Sequence, residues 1–266
     1  MSLLHGLFCV DAFADRIGTG NPAGICLLDR PADPRWMQRV AREMNLSETA
    51  FIVSENDGFG LRWFTPRTEV DLCGHATLAA AHILWEEGYL GGDDPARFFT
   101  KSGVLSAQRA EDRIELDFPV VPEAPAPSPH GLSRSLGVRP TYTGKNRFDY
   151  LVEVASEQDV RTITPDFLGL SRIPMRGVIV TSRASTPGFD FVSRFFAPSV
   201  GVNEDPVTGS AHCCLAQYWQ KKLKKNSLTA YQASERGGVL GIRLETPDRV
   251  IITGKAVTVW NGLLKP

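Results

Sequence analysis

Paired cysteines, an excess of charge of either sign and long apolar runs are all missing from this chain. The five cysteines (Cys9, Cys26, Cys73, Cys213 and Cys214) are odd in number and show no C-x-x-C spacing. Neither a disulfide framework nor a thiolate zinc site is therefore indicated. Adjacent Cys213 and Cys214 read as small buried hydrophobes on a helix. Lys and Arg number 29 against 30 Asp and Glu, a formal net charge of -1. This balance offers no basic face for nucleic acid or an anionic membrane. Lysines cluster only at Lys221, Lys222, Lys224 and Lys225, where cations at a helix end complement the partial negative charge of its last carbonyls. No window approaches the ~18 uninterrupted apolar residues of a membrane span. The start, MSLLHGLFCVDAFADRIG, has neither a cationic head nor a small-residue cleavage site, so an unprocessed cytoplasmic protein is expected.

What is present is a chain of 266 residues, 42% of them hydrophobic, enough for two ordinary domains or one large one. Five of its 18 prolines fall in PVVPEAPAPSP, residues 119–129. Such a segment resists helix and ladder alike, and it reads as a linker, 119–130, between lobes 1–118 and 131–266. Both halves mix strand-like alternation with helical stretches, so an α+β fold is expected. One helix is predicted to start at Asp33-Pro34, to carry Trp36, Val40 and Met44 on one face and to stop at Asn45. A second is predicted from Gly74 to Glu87. Its HATLAAAHILW is apolar all round, which requires that other structure wrap it.

The halves also echo each other. Arg62-Trp63-Phe64-Thr65-Pro66 is matched by Arg194-Phe195-Phe196-Ala197-Pro198, and each is followed by a glycine opening an apolar helix, Gly74 or Gly209. If this is a duplication, two similar lobes present two buried helix N-termini to one cleft, an arrangement suited to a carboxylate or a developing enolate. Near such a cleft the sequence offers His75, Ser210, His212 and Asp205. Pro206 holds Asp205 extended and off the helix. Glu48 opens an apolar strand, where desolvation would make its carboxylate a usable proton donor and acceptor; a surface residue at a strand start is the bland alternative. Arg67, Glu69 and Asp71 read as a local ion-pair network, His82 as a hydrogen-bonded core residue, and His212 as either cleft-lining or capping.

Other chemistries fit poorly. Gly18-Thr19-Gly20-Asn21-Pro22-Ala23-Gly24 has G-x-G-x-x-x-G spacing, not that of a dinucleotide loop. There is no G-x-S-x-G, and the five histidines show no metal-ligand pairing.

The segments VDAFADRIGTGNPAGICLL, NLSETAFI, FTPRTEVDLCGHATLAAAHIL and EDPVTGSAHCCLAQYW resemble the PhzF-like isomerase family of phenazine biosynthesis, within the diaminopimelate-epimerase superfamily. YQASERGGVLGIRLE further resembles the branch containing mammalian phenazine-biosynthesis-like and MAWD-binding-type proteins. The resemblance implies two pseudo-symmetric lobes, each a sheet rolled around a central helix, with the active site between them. It implies a homodimer acting on a small carboxylated metabolite without metal or organic cofactor. By motif, Glu48 corresponds to the general acid/base, and His75, Asp205 and Ser210 to assisting residues. Gly74 and Gly209 correspond to backbone donors, and Asn21 and Thr77 to further substrate- or anion-binding positions. The superfamily's racemases carry a cysteine before each helix-opening glycine, whereas this chain has Cys73 and Thr208. A threonine hydroxyl is too weak an acid for two-thiol racemisation. Epimerisation by Cys73 with Glu48 and a non-catalytic binding protein on the same scaffold remain the alternatives.

Overall fold

The computed structural model describes residues 5–265. Its chain forms two compact units, one of residues up to Asp117 together with those from Thr253 onward, the other Phe118–Ile252.

The first unit contains β1 (His5–Ala12), β2 (Asn21–Leu28), α1 (Pro34–Met44), β3 (Glu48–Glu55), β4 (Gly58–Phe64), β5 (Glu69–Val70), α2 (Gly74–Glu86), β6 (Ala96–Thr100), β7 (Gly103–Ala110), β8 (Arg113–Pro119) and the last strand of the chain, β17 (Ala256–Leu264). β1 and β2 pair antiparallel, β2 and β3 parallel through the α1 crossover, and β3 and β4 antiparallel. β4 then pairs parallel with β6 across α2, and β6, β7 and β8 continue antiparallel.

The local causes are those read from the sequence. The Asp33 carboxylate accepts the N–H of Arg35 at 2.6 Å, Pro34 opens α1, and Asn45 ends it in the left-handed region at φ 49°. Val40 is buried with Met37 and Ala41 against Leu7, Cys26, Phe51 and Phe64, with Trp36 and Met44 packed at the margin. α2 packs against β1, β2, β3, β7 and β17. Ten of its thirteen residues are buried, so an all-apolar helix is stable here because the sheet surrounds it.

The second unit contains β9 (Ala124–Pro125), α3 (Leu132–Leu136), β10 (Tyr142–Lys145), β11 (Asp149–Glu153), α4 (Glu157–Thr162), α5 (Phe167–Ser171), β12 (Gly177–Arg183), β13 (Phe191–Phe196), α6 (Gly209–Leu223), β14 (Ser227–Gln232), β15 (Gly238–Thr246) and β16 (Arg249–Gly254). The pairings repeat: β10 and β11 antiparallel, β11 and β12 parallel, β12 and β13 antiparallel, β13 and β14 parallel across α6, and β14 and β15 antiparallel. Side chains repeat too. Arg62 forks onto Glu69 at 2.7 and 2.9 Å with its guanidinium over Phe64, and Arg194 forks onto Glu204 at 2.7 Å twice, over Phe196. A shared topology with shared ion pairs supports the duplication.

Three sequence expectations need correction. Residues from Thr253 onward do not stay with 131–252: β17 lies antiparallel to β1, His5 opposite Leu264 and Ala12 opposite Ala256. The proline-rich stretch 119–130 is part of the second unit, since Ala124 and Pro125 pair with β10 and the Ala126 N–H donates to Thr143 O; a short edge pairing tolerates proline because half its donors are not needed. Glu69 pairs with Arg62 and Lys101, not with Arg67. The lysine run does close a helix: Lys224 adopts φ 58° as the cap of α6.

Candidate active site

In the first unit, the side chains of Ser47, Glu48, Asn21, His75 and Cys73 converge at the N-terminal end of α2. Glu48 is the first residue of β3, placed there by the Asn45 helix stop three residues earlier. Its Oε2 lies 3.2 Å from Nε2 of His75, the second residue of α2. Nδ1 of the same ring lies 3.2 Å from the amide nitrogen of Asn21, the first residue of β2, and Ser47 Oγ donates to Asn21 Oδ1 at 3.2 Å. A chain Ser47–Asn21–His75–Glu48 results. Asn21 is fully buried and His75 nearly so, while the Glu48 side chain keeps 18% of its exposure. The carboxylate therefore faces solvent from a fixed polar backing. It does not stand among apolar side chains alone, as the sequence suggested.

Cys73 caps the helix in extended conformation, its sulfur 3.5 Å from Nδ1 and 3.9 Å from Nε2 of His75. Burial, and then the Glu48 carboxylate, push the Cys73 thiol up to about 11. Burial by itself disfavours the imidazolium of His75, but Cys73 and the Glu48 carboxylate outweigh it and hold the ring's pKa well above its usual value. Asn21 can turn either its oxygen or its NH2 toward Nδ1, so it serves the ring in either charge state. Thr77, expected at an anion-binding position, is fully buried, and its hydroxyl donates back to Cys73 O at 2.6 Å. It holds the turn instead of facing a ligand.

In the second unit, the start of α6 is built differently. Thr208 Oγ1 donates to Asp205 Oδ2 at 2.5 Å. Gln232, fully buried on β14, accepts the Thr208 N–H at 2.9 Å and donates to Asp205 O at 2.6 Å. The loop carrying Asp205 is thus fastened by a residue that the motifs did not single out. Ser210 Oγ accepts a hydrogen bond from Arg176 Nη2 at 3.1 Å, and Arg176 forks onto the fully buried Asp149 at 2.8 and 2.5 Å. A guanidinium only donates, so the Ser210 O–H is left to point at another acceptor. Arg176 and Asp149 carried no sequence signal, and Ser47 and Gln232 lie within the quoted motif segments without being marked there, because each acts through a partner distant in the chain.

His212 is a core residue. It is fully buried, its Nδ1 donates to Thr208 O at 2.8 Å, its Nε2 lies 3.3 Å from Ser193 Oγ, and the ring stacks on Phe191. Burial pushes its pKa down to about 4, so it is neutral. It occupies the place of Thr77, four residues after the cap and bonded to the cap carbonyl. His82 is bonded to Thr258 at 3.1 Å, as a structural histidine.

A family model described as phenazine biosynthesis-like protein matches residues 10–262. An uncharacterized isomerase of Halalkalibacterium halodurans is 56% identical over 97% of both chains. The phenazine biosynthesis-like domain-containing protein of Homo sapiens is 41% identical, covering 97% of this chain and 98% of its own. Among solved structures, a PhzF-family protein of Enterococcus faecalis superposes with TM-score 0.95 at 40% identity over 99% of this chain and all of that one. A hydroxyproline epimerase of Agrobacterium vitis, at 11% identity and TM-score 0.65 over 100% of this chain and 94% of that one, shares the fold.

Proposed function

Because the chain belongs to the PhzC-PhzF family of phenazine biosynthesis-like proteins, with relatives that bear the name isomerase, we propose that it is a cofactor-independent isomerase. It moves a proton, and with it a double bond, within a small carboxylated metabolite of the trans-2,3-dihydro-3-hydroxyanthranilate type. Glu48 is the general acid/base.

The observation that carries the reading is the Glu48 carboxylate, part exposed and backed at 3.2 Å by an imidazole that Asn21 in turn orients. In the forward step a substrate C–H bond breaks, its proton passes to a Glu48 oxygen, and the electron pair spreads into the adjacent unsaturated group. The O–H so formed then gives its proton to a different carbon of the same molecule. His75 keeps one carboxylate oxygen hydrogen-bonded throughout, so the other is the oxygen that works. Backbone N–H groups at Gly74 and Gly209, the first residues of α2 and α6, stabilise the developing negative charge. Ser210, whose O–H is free to donate, and Asp205 orient polar groups of the substrate. A cytoplasmic homodimer completes the proposal.

Proton transfer by Cys73 is disfavoured, since a thiol pushed up to about 11 supplies little thiolate at neutral pH. The test is proton NMR in deuterated solvent with trans-2,3-dihydro-3-hydroxyanthranilate and a panel of amino and hydroxy acids. Deuterium incorporation or double-bond migration is expected for the native protein, reduced by roughly 10² to 10⁴ in Glu48→Gln. Equal rates for the two would remove Glu48 from the role. Absence of any exchange across the panel would favour a binding protein on this scaffold.

A further inference from the structure

Two polar clusters stand at corresponding places in the two units and differ in charge. In the first, Glu48 opens β3, Asn21 opens the parallel neighbour β2, and both meet His75, the second residue of α2. In the second, Arg176 immediately precedes β12, Asp149 opens the parallel neighbour β11, and Arg176 meets both Asp149 and Ser210, the second residue of α6. Where one unit sets a carboxylate, the other sets a guanidinium. We infer that Arg176 is a specificity-determining residue: together with Ser210 it holds a carboxylate of the ligand, and it selects the acid over the neutral amide of the same shape.

The donor count supports this assignment. A guanidinium carries five N–H groups in a rigid, planar fork. Asp149 takes Nε at 2.8 Å and one N–H of Nη2 at 2.5 Å, and Ser210 Oγ takes the other N–H of Nη2 at 3.1 Å. Neither N–H of Nη1 has a hydrogen-bond partner among the described residues. One of them runs parallel to the N–H that meets Ser210, because the group is planar. That N–H and the Ser210 O–H stand side by side as donors, and the two oxygens of one carboxylate accept one each. A carboxamide offers one oxygen and turns its NH2 against the other donor. The helix end points the same way. Thr208, at the cap position of α6, makes no side-chain cap and gives its hydroxyl to Asp205, so it does not take the first-turn N–H groups.

The guanidinium is fixed before a ligand arrives. Asp149 is fully buried, the Arg176 N–H donates to Phe148 O at 3.0 Å, and the cation lies 5.2 and 5.4 Å from the ring centres of Phe148 and Phe195. The side chain still keeps 35% of its exposure. Asp149 cancels its net charge, so Arg176 acts on a carboxylate through oriented N–H groups. Longer-range attraction comes from the exposed Arg147, whose guanidinium lies 4.4 Å from the centre of the same Phe148 ring. That the acid so held is the substrate of an isomerase rests on the proposed function; the anion site does not.

The experiment is a calorimetric titration of the full chain with anthranilate and, separately, with its neutral isostere anthranilamide. The native chain should bind the acid roughly 10- to 100-fold more tightly, the effect of one charge-assisted hydrogen bond. The double variant Asp149→Asn/Arg176→Gln leaves no unpaired carboxylate in the interior. Its affinity for the acid should fall to that for the amide, which itself changes little. Arg176→Lys keeps the charge but not the fork, and it should lose the same preference. Side-chain nitrogen NMR of the native chain needs no variant: anthranilate should shift the Nη1 signal of Arg176, and anthranilamide should leave it in place. Equal affinities for acid and amide, no acid binding at millimolar concentration, an Nη1 signal unmoved by bound acid, or a preference undiminished in the double variant would each overturn the inference. If the preference depends on Arg176 but no acid undergoes proton exchange, the proposed function fails while the anion site stands. If exchange is found and is lost in Glu48→Gln, but its KM is unchanged in Arg176→Lys, the proposed function stands and the role of Arg176 fails.

Discussion

The two histidines that follow a helix cap, His75 two residues after Cys73 and His212 four residues after Thr208, have opposite electrostatics, and the difference follows from what each faces. His75 meets the Glu48 carboxylate at 3.2 Å, and its pKa rises; His212 meets a carbonyl, a hydroxyl and the Phe191 ring, and its pKa falls to about 4. The consequences for stability have opposite signs. The stabilisation from His75 is complete below its ordinary pKa of 6.5 and is lost as pH rises through its raised value. That from His212 is complete above 6.5 and is lost as pH falls toward about 4, because the unfolded chain then binds a proton that the buried ring refuses. Urea unfolding midpoints between pH 7 and 4, compared for the native chain and His212→Gln, should show a shallower acid loss in the variant. Equal slopes would mean that His212 is charged in the fold.

At the scale of elements, helix ends do most of the positioning. Asp33 and Asn45 delimit α1 and so determine where β3 begins, which puts Glu48 beside α2. Asp33→Ala removes the acceptor for the Arg35 N–H and should cost about 1 kcal/mol by denaturant titration. The start of α6 depends on Gln232 instead. Gln232→Leu leaves the Thr208 N–H and the Asp205 carbonyl without the partner each has at 2.9 and 2.6 Å. At roughly 1–3 kcal/mol for each buried group left unsatisfied, the loss should reach at least about 2 kcal/mol. Gln232→Glu keeps an acceptor for the Thr208 N–H but sets a carboxylate against the Asp205 carbonyl, acceptor against acceptor in a fully buried place, and should be destabilised as well; a loss below about 1 kcal/mol for leucine would show that Gln232 is not the fastening residue. α1 was legible because capping is local. Gln232 was not, because it meets the Asp205 loop from 24 residues beyond Thr208.

At the scale of the molecule, the chain folds a strand order twice and then returns to where it began. β17 supplies β1 with an eight-residue ladder, from His5 opposite Leu264 to Ala12 opposite Ala256, and α2 packs on both strands. Truncation after Gly254 strips that partner from β1 and uncovers part of α2. The truncated chain should lose cooperative unfolding of its first unit while residues 118–252 keep theirs, as followed by amide hydrogen exchange. Retained protection in β1 would show that β17 is dispensable.

Composition, capping signals and hydrophobic pattern were sufficient for the α+β class, for both ends of α1, for the wrapped α2 and for the echo between halves, since all of these depend on neighbours within a few turns of chain. The motifs also marked Glu48 and His75. Only the tertiary structure decided that Asn21 and Ser47 stand behind His75, that Arg176 leaves the Ser210 hydroxyl to donate, that Thr77 and His212 serve their own helices, and that the last strand belongs with the first. Each of these depends on a contact between residues far apart in sequence, where the side chain offered is the same whether or not a partner arrives. The burial that gives such a contact its strength comes only from the packed whole.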